Sequence, residues 1–165
     1  MAAIYPMHLS IAAPAGYHPD PTILEKARAA GISTIEIVDD PRIAADQADA
    51  IYTDVWTSMG QEAEKAERLA VFKDYQVNAA LVRLAHPSAL IMHCLPAHRG
   101  EEITDEALES EHSVVFDQAE NRLHIQKAVL VTLLSDAQEL LPVPDEDATS
   151  TTNDHAKAEA SVRHS

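Results

Sequence analysis

The chain has 165 residues, a net charge of −15 and few aromatics, with two Phe, four Tyr and one Trp. One domain fits that length, with a core drawn mainly from Val, Ile, Leu and Ala. Such an acidic balance argues against nucleic acid and against anionic membrane surfaces, both of which call for a basic face. No apolar run approaches the roughly 20 residues that span a bilayer. The first residues carry no secretory-signal pattern, and the single cysteine, Cys94, has no internal disulfide partner. A reducing, cytoplasmic setting is therefore expected.

In chain order, Leu9–Ala13 reads as a strand ending in a Pro/Gly turn around Pro14, Gly16 and Pro19. Thr22–Ala30 reads as a helix with Asp20 or Thr22 as N-cap and Gly31 as its stop. Thr34–Val38 is a second strand, Asp39-Asp40-Pro41 opens a short helix reaching about Asp46, and Ala50–Asp54 is a third strand. Gln61–Phe72 is a charged helix with opposite charges at i,i+3 and i,i+4. Asn78–Ala85 is a short helix stopped near Pro87, followed by strands at Leu90–His93 and Ser113–Phe116 and a long helix over Asn121–Leu141. From Pro142 onward the chain is acidic and polar, with five acids against two bases. That composition cannot offset the entropy of ordering, so residues 142–165 are expected to be disordered. Continuous apolar strands alternating with helices define an α/β fold, doubly wound, with a mainly parallel sheet flanked by helices. In such a sheet ligands bind beyond the carboxyl ends of the strands.

Two strand ends carry chemistry. The third strand runs into Asp54, Val55, Trp56, Thr57, Ser58, Met59 and Gly60, and the fourth into Cys94, Leu95, Pro96, Ala97, His98 and Arg99. Asp54 is suited to bind or deprotonate a cationic amine, or else is a loop acid or helix cap. Ser58 and Gly60 cap the next helix or anchor a substrate carboxylate on exposed N–H groups. Cys94 is either a buried structural thiol or a functional one in a polar, partly open setting. His93, Cys94 and His98 match no structural zinc spacing, and no metal or cofactor is expected. With four glycines in the chain, no glycine-rich phosphate loop is present, nor a G-x-S-x-G elbow or a G-x-G-x-x-G turn. Arg122, after Asp117-Gln118-Ala119-Glu120-Asn121, is a bidentate phosphate clamp or a surface arginine.

The blocks Tyr52–Gly60, His93–Pro96 and Phe116–Arg122, in this order and spacing, resemble the signature blocks of ornithine carbamoyltransferases. Met7–Asp20 and Asp74–Val77 resemble the same family, so the likeness runs from about residue 3 to 141. The resemblance implies the Rossmann-like second domain of a carbamoyltransferase, lacking its first strand, with a long C-terminal helix. It also implies transfer of the carbamoyl group of carbamoyl phosphate to the side-chain amine of ornithine, giving citrulline and phosphate. By this matching Asp54, Ser58 and Met59 hold ornithine, and Cys94 is the site cysteine. Leu95 belongs to the pocket for both substrates, and Arg122 binds carbamoyl phosphate. Asp54 and Cys94 are the matched catalytic pair.

The Ser-x-Arg-Thr-Arg motif of the family's carbamoyl phosphate-binding domain is absent from these residues. Pro6 stands where the family usually has Gly. The expected organisation is thus a partial ornithine-binding domain over 3–141 with an acidic tail. A carbamoyl phosphate-binding domain acting in trans, or a homo-oligomer, would be the partner. A sheet without its central strand should carry an unpaired edge, and the last helix should expose an apolar stripe around Val129–Leu134. The alternatives are a non-catalytic amino-acid-binding module and an inactive relic.

Overall fold

The computed structural model describes residues 2–57 and 64–135. Strand β1 (His8–Ala12) is followed by helix α1 (Pro21–Ala29). Proline at N1 presets the helical φ, while the Asp20 carboxylate accepts from the N–H groups of Thr22 and Ile23 at 2.8 and 3.3 Å. Gly31 stops the helix at φ +66°, its N–H bonded to the Arg28 carbonyl at 3.0 Å. Strand β2 (Thr34–Val38) lies parallel to β1 in the register His8↔Thr34 to Ala12↔Val38. The Asp40-Pro41 pair then repeats the cap-plus-proline device to open α2 (Pro41–Ala45).

Strand β3 (Ala50–Thr53) pairs in parallel with β4 (Leu90–His93), from Ala50↔Leu90 to Thr53↔His93. Between them come α3 (Lys65–Phe72), a 3-10 turn at Lys73–Tyr75, and α4 (Ala79–Val82), whose N-cap Asn78 accepts from the N–H groups of Ala80 and Leu81. Thr104 caps α5 (Asp105–Leu108), and α6 (Val115–Leu134) closes the described chain. Residues 61–63 of the expected third helix lie outside the described residues. The α/β class with parallel strands, flanking helices and a long last helix holds, but the strands form two separate two-stranded sheets, β1–β2 and β3–β4.

The expected fifth strand at Ser113–Phe116 is a correction. Only Ser113 bridges Ile91, with Ile91 N–H to His112 O at 2.8 Å and Val114 N–H to Ile91 O at 3.0 Å. Val115 then starts α6, six residues before the helix expected from Asn121, because its fully buried side chain completes the core as part of a helical first turn.

That core comprises Ala45, Val77, Leu81, Ile91, Ile103, Ala107, Leu108 and Val115. It gathers around β4, under α4, α5 and the start of α6. The chain divides into two units, Met1–Leu123 and His124–Ser165. In the second, the described helical residues Ile125, Val129, Leu130, Val131, Leu133 and Leu134 are exposed, which matches the expected apolar stripe. Among the described residues no helix is long and apolar enough to cross a membrane.

Candidate active site

The register of β3 on β4 builds the site. Thr53 and His93 are partners in the ladder, so the next residues, Asp54 and Cys94, leave neighbouring strands side by side. The Cys94 thiol donates to Asp54 Oδ1 at 2.9 Å, and the same oxygen accepts the Val55 N–H at 2.7 Å. The phenol of Tyr52, two residues earlier on β3, lies near enough to the Cys94 thiol and the Gln118 side chain to interact with both. Partial burial pushes the thiol above its ordinary value; the Asp54 hydrogen bond and charge push the same way, while Tyr52 opposes them. At neutral pH the pair is therefore a neutral thiol donating to a carboxylate, with Asp54 exposed to what lies outside.

The turn after β4 is clamped from beneath. His93 is fully buried; its Nδ1 accepts the Leu95 N–H at 2.8 Å, which leaves the proton on Nε2, 3.1 Å from Glu102 Oε1. This tautomer follows from the hydrogen-bond network. Glu102, also fully buried, takes the His98 N–H at 2.5 Å, and the His93 N–H donates to Gln118 Oε1 at 3.2 Å. Leu95 sits at φ +55°, a left-handed conformation that costs a non-glycine residue on the order of 1 kcal/mol. Such a conformation persists where its surroundings over-determine it, and here it turns the chain just after Cys94. Asp54, His93 and Cys94 present donor atoms within 4.8 Å of one another. Both ring nitrogens of His93 are committed to the turn, so as a donor set the trio is poor for an ion.

An aromatic lip borders the same end of the strands. Phe72 meets Tyr17 edge-on at 4.8 Å and stacks near Trp56 at 5.9 Å. Arg68 lies 5.3 Å from the Tyr17 ring centre, reaches the Trp56 carbonyl at 3.3 Å and pairs with Glu64 at 2.9 Å. Of the six residues singled out from sequence, Asp54, Cys94 and Leu95 are brought together. Ser58 and Met59 lie outside the described residues. Arg122 is exposed on α6, one turn beyond Gln118 and so on the same helix face. Sequence reasoning missed Tyr52, Gln118 and the His93–Glu102 pair. Strand alternation was the available signal for Tyr52; nothing local announces a contact between residues nine or more apart.

Fold and site define an α/β domain in which a carboxylate and a thiol meet beyond the carboxyl ends of two paired parallel strands, where ligands bind in sheets of this kind. The sequence profile of the aspartate/ornithine carbamoyltransferase, Asp/Orn binding domain, matches residues 1–133, and the chain belongs to that family. It is 56% identical over 135 residues to an ornithine carbamoyltransferase of Chlorobaculum tepidum, covering 82% of this chain and 40% of the relative. Another from Archaeoglobus fulgidus is 54% identical over 139 residues, covering 84% and 45%. Among solved structures, the anabolic ornithine carbamoyltransferase of Campylobacter jejuni matches with TM-score 0.75 at 36% identity, over 80% of this chain and 45% of that one. The chain thus spans less than half the length of the curated relatives it matches.

Proposed function

We propose that this chain is the ornithine-binding part of an ornithine carbamoyltransferase working in the cytoplasm, and that these residues alone do not complete the reaction. The observation that carries the reading is the 2.9 Å Cys94–Asp54 pair across two strand ends, in a chain more than half identical to proteins named ornithine carbamoyltransferase. In the reaction the side-chain amine of ornithine attacks the carbonyl carbon of carbamoyl phosphate, the bond to phosphate breaks, and citrulline and phosphate leave. Asp54 accepts hydrogen bonds from the incoming ammonium in place of the thiol proton. The amine must lose a proton before it attacks, and the Asp54–Cys94 pair orients it and assists that loss. Leu95 presents backbone beside the reacting carbon, while Ser58 and Met59 hold the amino-acid end. Arg122 is the cation for carbamoyl phosphate, and it stands alone among the matched positions in that role. Charge developing on the leaving phosphate needs several donors. The remainder comes from a carbamoyl phosphate-binding domain in trans or from another copy in an oligomer. Much of the rate then comes from holding two reactants together.

The test is citrulline formation by the purified chain, alongside calorimetry with ornithine and with the Cys94→Ala and Asp54→Asn variants. Ornithine binding that Asp54→Asn removes, with no citrulline, is the expected result. Citrulline formed by this chain and abolished by Cys94→Ala would show a complete site in these residues and overturn the incomplete-site reading. Absence of ornithine binding would overturn the substrate assignment.

A further inference from the structure

Beyond the turn that carries Cys94, the chain from His98 to Glu102 folds back on itself. Gly100 supplies a left-handed step at φ +86°. Its N–H bonds the Ile103 carbonyl at 2.8 Å, and the Glu101 N–H bonds that of His98 at 3.0 Å. Gln76 holds the loop from outside, its amide donating to the Gly100 and Glu101 carbonyls at 3.0 and 2.9 Å. The fold-back brings one donor atom each of His98, Glu101 and Glu102 within 4.8 Å of one another. Glu102 is fully buried, and its two oxygens differ. Oε1 accepts from His93 Nε2 and from the His98 N–H, whereas Oε2 has no hydrogen-bond partner among the described residues. That oxygen faces His98 Nδ1 at 3.8 Å, an ion-pair distance too long for a hydrogen bond. Buried charges are ordinarily paired or coordinate a metal, so an orphaned oxygen within a His/Glu/Glu cluster calls for a cation.

We infer that His98 Nδ1, Glu101 and Glu102 Oε2 form a binding site for a divalent transition-metal ion, with zinc the best match. The inference does not rest on the proposed reaction. One imidazole and two carboxylates are the ligand types that zinc accepts, and three protein donors leave its fourth position to water. Bonds of about 2.0–2.2 Å in tetrahedral geometry set donors roughly 3.4 Å apart. The 3.8 Å from Nδ1 to Oε2 closes to that with a small turn of the His98 ring, whose side chain is 46% exposed and lets the ion in. Magnesium and calcium fit poorly, because both favour shells of oxygen and of higher coordination number. Lys65 is a built-in competitor: its ammonium pairs with Glu101 Oε1 at 2.8 Å and must swing away when the ion binds. The hydrogen bonds to Glu102 Oε1 orient the carboxylate from behind, as outer-shell contacts do in metal sites. Since that carboxylate also clamps the turn carrying Leu95, an ion here braces the loop next to Cys94 without touching the thiol.

The test is calorimetric titration of the full, chelator-stripped chain with zinc chloride, and with magnesium chloride as control. Zinc should bind and magnesium should not. His98→Ala and Glu101→Gln should each weaken zinc by about tenfold or more, and Lys65→Gln should tighten it. Both ligand side chains are partly exposed, so the metal-free melting temperatures should match the parent's. Added zinc should raise the melting temperature of the parent but not of His98→Ala. Cys94→Ala should bind zinc as the parent does, and zinc X-ray absorption should show nitrogen and oxygen neighbours with no sulfur at about 2.3 Å. No zinc binding, or equal affinity in His98→Ala, would overturn the inference. So would loss of binding in Cys94→Ala or a sulfur neighbour, since either places the ion on the thiol instead.

Discussion

The β1–α1–β2 segment and the β3–β4 segment use the same apolar, β-branched strand residues and the same Asp-Pro or Asn caps, yet they are packed very differently. Around β4 the core is closed: Ile91, His93, Ile103 and Val115 are fully or almost fully buried, and α4, α5 and the start of α6 cover them. In the first segment β1 has no buried residue, β2 buries Ile35 alone and α1 buries none, leaving Ile23 67% exposed. Capping and propensity suffice to define elements, but the free energy comes from burial. The site hangs from the closed side, so its geometry depends on the packed half.

The largest effect should come from the buried clamp. Glu102→Ala leaves His93 and the His98 N–H without their acceptor and opens a void. It should cost about 2–6 kcal/mol, at about 1–3 kcal/mol for each of the two buried donors left unsatisfied, read as a lower urea midpoint or outright unfolding. A midpoint unchanged from the parent chain would show that the clamp contributes nothing. Next in size is the contrast between isoleucines. Ile91→Ala should lose about 2–5 kcal/mol through lost burial and a cavity, whereas Ile23→Ala should stay within about 0.5 kcal/mol. Equal losses would erase the difference between the two halves.

The smallest effect is a pH dependence. The folded thiol of Cys94 is raised from its ordinary value of 9.0, first by burial and then by Asp54. Below that value the thiol is protonated in both folded and unfolded chains, and the stability it contributes is present in full. As pH rises from the ordinary value through the raised one, the unfolded chain releases its proton first and stability falls. Cys94→Ala should flatten this alkaline decline. Alkylation of Cys94 in the folded chain should have a midpoint above that of the unfolded chain, and Asp54→Asn should bring it down. An Asp54→Asn midpoint above the parent's would reverse the assigned cause.

Much of the α/β reading was local and could be read directly. Thr34–Val38 and Leu90–His93 are strands over the residues expected, and the Asp20-Pro21 and Asp40-Pro41 pairs start helices as their chemistry dictates. Ser113–Phe116 misled because its β-branched, apolar residues suit strand and buried helix alike; Val115 is helical because the core beneath α6 needed filling. The short α5 was passed over although Thr104 and the acids after it form a capped first turn.

Residue identity and spacing alone placed Asp54 and Cys94 at strand ends and pointed to the family, because strand length and strand ends are set by local apolar patterning. Which atoms meet was a tertiary matter. The one-to-one register of β3 on β4 sets the thiol on the carboxylate. The His93–Glu102 contact fixes the turn that carries Leu95. The split into two sheets, each with an open edge, depends on which strands find partners. Pairings of that kind join residues far apart in the chain, and no local pattern encodes them.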